Sequence, residues 1–393
     1  MISKKTLPPH WDFLPIRAIF NESDKRNGND TYELLSVTQD KGIIKQSVDS
    51  KKDTSNDDKS KYKVVLKGSI AYNKMRMWQG AVGINELEDG IVSPAYVVIN
   101  PKNKTLDTKY YYYLFKSTYM ISQFGKYSYG LVDDMNSLRY EHFRNIYVPI
   151  PPLEEQRTIV QNIDKKITKI NNFIEKKKKF IELLKEQKEA IINQAVTKGI
   201  DSSVELKDSG IEWLGEIPKH WKVVKFKYLA KIFNGKEQSE VVDNNGEYPI
   251  YGSGGIFCYA NNYLFNKPSV LLGRKGTIDK PLYVETPFWT VDTMFYTKIF
   301  KNVFPKFFYY LAKTIPFDKY KSGSAIPSMT QNDLLYNQFA LPLSLEEQKN
   351  IVSYIETEFS KIDTIIEKTQ KEIELIQEYT TSFISEVVIG KRM

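Results

Sequence analysis

Apolar residues recur at alternating steps of four and three along two long stretches of the chain. The first runs Ile163, Ile167, Ile170, Ile174, Lys177, Ile181, Leu184, Lys188, Ile191, Ala195. The second runs Ile355, Phe359, Ile362, Ile366, Thr369, Ile373, Ile376, Thr380, Phe383, Val387. This spacing gathers the side chains on one stripe of an α-helix. Both stripes lapse at matching places, Lys177 with Thr369 and Lys188 with Thr380. Pro151, Pro152 and Pro342 stand ahead of them, and neither contains Pro or Gly before Gly199 and Gly390, as helix start and stop signals require. About 44 helical residues would span roughly 66 Å, and neither helix can bury its stripe alone. Each could pack on its own neighbouring body or dimerise. The coinciding lapses and matched lengths favour a two-helix antiparallel rod. The run Lys176-Lys177-Lys178-Lys179 reads as a solvated face, with a DNA or partner contact as the alternative.

The stretches are copies of one another. Leu153-Glu154-Glu155-Gln156 opens the first and Leu345-Glu346-Glu347-Gln348 the second. About 19 of 44 aligned residues are identical, and a repeat of this length decides architecture. The bodies preceding the helices are duplicated more faintly. Pro8-Pro9-His10-Trp11 returns as Pro218-Lys219-His220-Trp221. Ser69-Ile70-Ala71-Tyr72-Asn73-Lys74 returns as Ser269-Val270-Leu271-Leu272-Gly273-Arg274, and Tyr112-Tyr113-Leu114 as Tyr309-Tyr310-Leu311. Short strand-like runs at 62–66, 91–99, 223–233, 269–272 and 288–299 alternate with Gly and Asn turns. Short helices are predicted at 109–116, at 304–313 and just before each long helix. The boundaries are therefore a body at 1–150, a long helix at 151–198, a connector at 199–217, a second body at 218–343 and a C-terminal long helix at 344–393. Residues 45–61 read as an exposed polar loop. The fold class is α+β, two similar globular bodies alternating with two long helices, with an internal pseudo-twofold repeat.

Composition narrows the function. No apolar run approaches the roughly 18–20 residues needed to cross a bilayer, and the N-terminus lacks the apolar core of a signal peptide, so a cytoplasmic location is expected. The single cysteine, Cys258, leaves no disulfide framework or Cys-based zinc site. A net charge of +8 with 26 Tyr and 21 Phe suits a polyanion partner, though aromatics equally suit β-rich cores. There is no phosphate loop, because Gly252-Ser253-Gly254-Gly255 lacks the following Lys and reads as a turn. Neither Asn-Pro-Pro-Tyr nor Asp-Pro-Pro-Tyr occurs. Of the three histidines, His10 and His220 lie in the duplicated Pro-x-His-Trp element, where packing or orientation is the expected role. No constellation for covalent chemistry, and no metal site, emerges.

Recognition remains. Asn73-Lys74-Met75-Arg76-Met77-Trp78-Gln79-Gly80 follows a strand in the first body. Gly273-Arg274-Lys275-Gly276-Thr277 occupies the matching place in the second. Arg and Lys can read guanine or hold phosphates, Gln can read adenine, and Met or Trp can meet thymine methyls or unstacked bases. Lys74, Arg76, Trp78, Gln79, Arg274, Lys275 and Thr277 are therefore the candidate DNA-binding residues. The alternative is a pair of hairpins with solvated basic tips.

These motifs together resemble the DNA-specificity subunits of type I restriction–modification systems over essentially the whole chain. The resemblance is carried by the two helix starts at 149–156 and 342–348, and by Gly-Ile-Glu-Trp-Leu-Gly-Glu-Ile-Pro-Lys-His-Trp at 210–221. It is carried further by the pairing of residues 73–80 with 92–96 and of 273–277 with 288–293. It implies two target-recognition domains, each reading half of a bipartite site in double-stranded DNA, and helices that act as a ruler. It implies docking of two modification (methyltransferase) subunits and of restriction (translocase/nuclease) subunits. S-adenosylmethionine, ATP and Mg would then belong to those partners, with no catalysis, metal or cofactor in this chain. Two other classes stay open: a restriction or methyltransferase enzyme with unrecognised motifs, and a coiled-coil scaffold without DNA affinity.

Overall fold

The computed structural model describes residues 4–28, 31–46, 58–103, 105–129, 136–243, 245–320 and 327–392. The polar loop expected at 45–61 lies mostly outside them. The chain divides into two compact units, Met1–Lys177 with Gln370–Met393, and Lys178–Thr369.

In the first unit a four-stranded antiparallel sheet is ordered Phe20–Ser23, Tyr96–Pro101, Ile70–Asn73, Val82–Ile84. A second sheet is ordered Gly42–Lys45, Glu33–Thr38, Gly90–Val92, Lys63–Val65, and its Glu33–Thr38 and Gly90–Val92 strands are parallel. Asp12–Pro15 pairs with Tyr147–Ile150. Helices α1 (Thr108–Lys116), α2 (Thr118–Lys126) and α3 (Tyr140–Phe143) precede the 46-residue helix α4 (Leu153–Lys198).

The second unit repeats this plan. Its four-stranded sheet runs Ala230–Asn234, Met294–Ile299, Ser269–Gly273, Leu282–Val284. Its second sheet runs Gly255–Ala260, Tyr248–Gly252, Trp289–Thr290, again with one parallel pairing. Lys222–Lys225 pairs with Gln338–Leu341. Helices α5 (Pro305–Lys313), α6 (Gln331–Leu335) and the 43-residue α7 (Leu345–Val387) follow. The duplication seen faintly in the letters thus extends to the order of the four-stranded sheet, while the second sheet has four strands in the first unit and three in the second.

Three of the expected strands each prove to be two. The run 91–99 breaks at Ser93-Pro94 into members of different sheets, since Pro94 has no N–H to give a ladder. The run 288–299 divides likewise, and 223–233 is interrupted by a 3-10 turn at Phe226–Tyr228. Both halves of each run are apolar, so the change of sheet leaves no trace in hydrophobicity. Helix α2 was not foreseen, although Ser117 caps it by accepting from Met120 N at 3.3 Å. Residues 199–217, read from sequence as a connector, form a hairpin of Leu206–Asp208 with Glu216–Pro218. Their Ile211, Leu214 and Ile217 pack into the core of the second unit.

Helices α4 and α7 pack antiparallel, each unit holding one stretch of the pair. In the first unit Ile159, Val160 and Ile163 share a core with Val387, Val388 and Ile389. Farther along, Lys166 Nζ lies 5.5 Å from the Tyr379 ring, and Lys177 Nζ lies 2.8 Å from Glu372. In the second unit Ile192, Ala195 and Val196 share a core with Ile351, Val352 and Ile355. There Lys188 Nζ meets Asp363 at 2.6 Å and lies 4.5 Å from the Phe359 ring. Ile163, Ile167, Ile170, Ile174, Ile181, Leu184, Ile355, Phe359, Ile362, Ile366, Ile373 and Ile376 are all buried or half-buried. At the lapses the two lysines reach acids on the facing helix. The Thr369 and Thr380 hydroxyls donate to the carbonyls of Ile365 and Ile376, at 2.8 and 2.6 Å.

Candidate nucleic-acid interface

The body-to-helix junction is built from the duplicated motifs. Glu155 takes the Trp11 indole N–H at 2.8 Å and meets His10 Nε2 at 2.7 Å. Glu347 takes the Trp221 N–H at 2.7 Å and meets His220 Nε2 at 3.0 Å. Both indoles are fully buried, where an N–H without a partner would be costly. The adjacent glutamine ties the same junction to a second helix. Gln156 accepts from Asp107 N, the residue that caps α1, and donates to Pro151 O, each at 2.8 Å. Gln348 accepts from Phe304 N at 2.7 Å, just ahead of α5, and donates to Pro342 O at 2.9 Å. The two histidines therefore orient a glutamate. The sequence flagged both motifs but could not show that they meet. Each long helix also ends on a glycine beside one of these tryptophans. At Gly390, with φ of +71°, a side chain would begin 2.8 Å from Pro8 Cγ and 3.1 Å from the Trp11 ring.

In each body one loop follows the matching strand of the four-stranded sheet. In the first body the strand Ile70–Asn73 ends in a tight turn. Asn73 Oδ1 accepts from Met75 N at 2.9 Å, and the 3-10 turn Met77–Gln79 follows. Met77 is the buried anchor, and the Trp78 indole donates to Met75 O at 3.0 Å. Arg76 is exposed, while Lys74, Trp78 and Gln79 are half-exposed. Leu138 N donates to Lys74 O at 2.9 Å, bringing residues 137–141 alongside. Lys116, at the end of α1, donates to Gly80 O at 3.1 Å and also to Gln39 O. It thereby ties this turn to the tip of the Glu33–Thr38 hairpin. Burial holds its ammonium below the usual lysine range. Gln39, Met75, Arg76, Trp78 and Gln79 line one open depression.

The second body places its loop on the equivalent strand with other side chains. Arg274 N donates to Thr293 O at 2.8 Å, and its guanidinium donates to Asp292 O at 3.2 Å. Met329 N donates to Arg274 O at 2.9 Å, as Leu138 does to Lys74 in the first body. Lys275 is exposed, and Arg274 and Thr277 are half-exposed. A side chain at Gly273 would begin 2.3 Å from Thr277 O, so the loop can return on itself only over a glycine. The structure thus brings residues 273–277 beside 292–293. In the first body the ladder partner of Asn73 is Tyr96. Lys74 and Met75 line a depression with Ala95, Arg139 and Tyr140.

Among the described residues no group of three or more His, Cys, Asp and Glu side chains is placed to hold a metal ion. No described helix is long and apolar enough to cross a membrane. What the two loops offer is cations, amides and aromatic faces on open surface, which is chemistry for reading a polyanion.

Comparison with known proteins agrees with this geometry. The profile of the type I restriction modification DNA specificity domain matches residues 12–183 and again 218–375. The chain is 28% identical over 374 residues to the type I restriction enzyme MjaVIII specificity subunit of Methanocaldococcus jannaschii, covering 84% of this chain and 82% of that protein. The EcoDI specificity subunit of Escherichia coli is 22% identical over 181 residues, 45% of this chain and 40% of that one. In fold, the chain is similar to the HsdS subunit of Thermoanaerobacter tengcongensis, with a TM-score of 0.54, 14% identity and 98% of both chains covered. A chain solved in a study of assembly and conformational transition of the type I R-M system gives a TM-score of 0.69, at 14% identity, covering 98% of this chain and 99% of that one.

Proposed function

Because the chain belongs to the type I restriction–modification DNA-specificity family, and is its recognition component rather than its catalytic one, we propose that each body reads one half of a bipartite site in double-stranded DNA. The observation that carries this is the pair of loops. The same strand of the same sheet is followed by Lys74-Met75-Arg76-Met77-Trp78-Gln79 in one body and by Arg274-Lys275-Gly276-Thr277 in the other. The scaffold is repeated and the letters on it differ, as two readers of different half-sites require. Helices α4 and α7 set the spacing of the half-sites and, with the bodies, dock two modification subunits and the restriction subunits. S-adenosylmethionine, ATP and Mg enter on those partners, and the methylated base is adenine.

Binding tests the reading. The chain with its modification subunits should retard a duplex carrying its site far more than a scrambled one. Affinity should fall steeply as salt rises, because phosphate contacts release counterions. Equal retention of both duplexes would leave only non-specific attraction, and no retention would favour a scaffold. Methyl transfer by the chain alone would point to an enzyme.

A further inference from the structure

The hairpin of Tyr248–Gly252 with Gly255–Ala260 breaks the rule that strand residues alternate between core and solvent. Its inward residues are plain, since Ile250 and Ala260 are fully buried and Cys258 is half-buried. Yet Ile256 and Phe257, consecutive in the chain, are 50% and 56% exposed. The cause is a β-bulge. Ile250 pairs with Cys258 and Tyr251 with Ile256, which leaves Phe257 as the extra residue. A bulge of this kind re-aims a side chain and is commonest near sites that work. Here it presents two large apolar groups to solvent at a hairpin tip, with Tyr259 exposed just behind.

Three observations say what covers this tip. It adjoins the loop already assigned to DNA, because Ser253 Oγ lies 3.2 Å from where a side chain on Gly276 would begin. The turn and bulge, Gly252-Ser253-Gly254-Gly255-Ile256-Phe257, carry no acid, whereas Arg274 and Lys275 stand on the adjoining loop. A polyanion could therefore approach both without repulsion from the tip. The first body, which shares the hairpin, lacks the device. Its strands pair without a bulge from Leu35–Lys45 to Thr38–Gly42, its tip is Gln39-Asp40-Lys41, and Ile43 is buried. On the candidate recognition loop of that body Met75 is exposed and Trp78 half-exposed. The bulge is thus a property of one reader, as a feature that distinguishes half-sites would be.

We propose that Phe257, backed by Ile256, is an apolar wedge that stacks on or enters a base step of the half-site read by the second body. Arg274 and Lys275 hold that duplex from the adjacent loop. Apolar side chains inserted between base pairs unstack and kink DNA, and an aromatic face on a base tolerates many sequences. The wedge would therefore favour a deformable step rather than name one base. This rests on the second body being a DNA reader.

The test uses the full chain with its modification subunits and a duplex carrying the site mapped from methylated adenines. 2-Aminopurine is placed in turn at each position of the second half-site and its flanks. The wild-type complex should raise fluorescence at one step, the mark of an unstacked base. Phe257→Ala should abolish that rise and weaken the cognate complex about tenfold. Phe257→Trp should preserve both, and the melting curves should coincide because the side chain is more than half exposed. Wild-type affinity and fluorescence in Phe257→Ala, with Arg274→Ala weakened, would overturn the wedge and leave the reader intact. If Arg274→Ala also bound normally, the reading of the second body would fall with it. Intact DNA binding with lost assembly of the modification subunits would reassign the tip to a protein contact.

Discussion

Glu155 and Glu347 show how one side chain can serve two neighbours of unequal weight. Each accepts a hydrogen bond from a buried tryptophan and faces an exposed histidine. The exposed histidine contact is worth about 0–1 kcal/mol, whereas a buried N–H left without an acceptor costs about 1–3 kcal/mol. Glu155→Ala should therefore destabilise the first unit, and Glu347→Ala the second, by about 1–3 kcal/mol. His10→Ala and His220→Ala should cost less than about 1 kcal/mol. Denaturant unfolding measures both, and equal losses for the glutamate and histidine variants would contradict the division. At the Arg76 and Arg274 loops the expected effects concern binding instead. Arg76→Ala or Arg274→Ala should weaken specific binding by about 1–3 kcal/mol if the guanidinium reads a base. A phosphate contact would weaken all sequences alike and flatten the salt slope by about one unit. Binding to cognate and scrambled duplexes at several salt concentrations separates the two. Unchanged binding to both would return the loops to ordinary solvated tips.

Among the elements, the helix pair argues that spacing and base choice are separate properties. Seven residues inserted into both α4 and α7, at the 177/178 and 369/370 boundaries, keep the four-three seam in phase. Each helix lengthens by about 10 Å. The non-read spacer between half-sites should grow by about three base pairs, with the half-sites as before. Altered half-sites with an unaltered spacer, read from methylated adenines, would remove the ruler role. The helices were legible in the sequence because a stripe every three to four residues survives mutation of anything off the stripe. Their ion pairs were not, since Lys177–Glu372 and Lys188–Asp363 join residues far apart in sequence. The bodies were legible as strands and loops but not as sheets. Whether residues 91–99 form one strand or two depends on which neighbour accepts each half. Of the candidate site, the Arg76 and Arg274 loops could be read from their duplicated strands. The Phe257 bulge could not, because Gly-Ile-Phe-Cys-Tyr-Ala looks like any buried strand until its register is known.

For the molecule as a whole, duplication has produced two bodies that share the strand order of the four-stranded sheet and differ in their loops. It has also stocked the cores with tyrosine. Burial holds the Tyr72 and Tyr110 hydroxyls well above the usual 10.0 and raises Tyr111 likewise. A folded-state value above the unfolded one means that their stabilisation is complete below about pH 10 and is lost as pH rises beyond it. Lys116 and Lys313, lowered by burial, act in the opposite sense, but they are partly exposed and the tyrosines should win. Melting temperature should fall as tyrosinate absorbance appears above about pH 10, and a rise there would show the lysines dominant. The central claim, that each body reads its own half-site, is tested most directly by exchange. A chimera takes residues 199–341 from another family member with a different target, and the methylated adenines of a host carrying the intact system are sequenced. The account predicts a hybrid site in which the half read by the second body changes and the half read by the first does not. Change in both halves, or loss of the first, would contradict it.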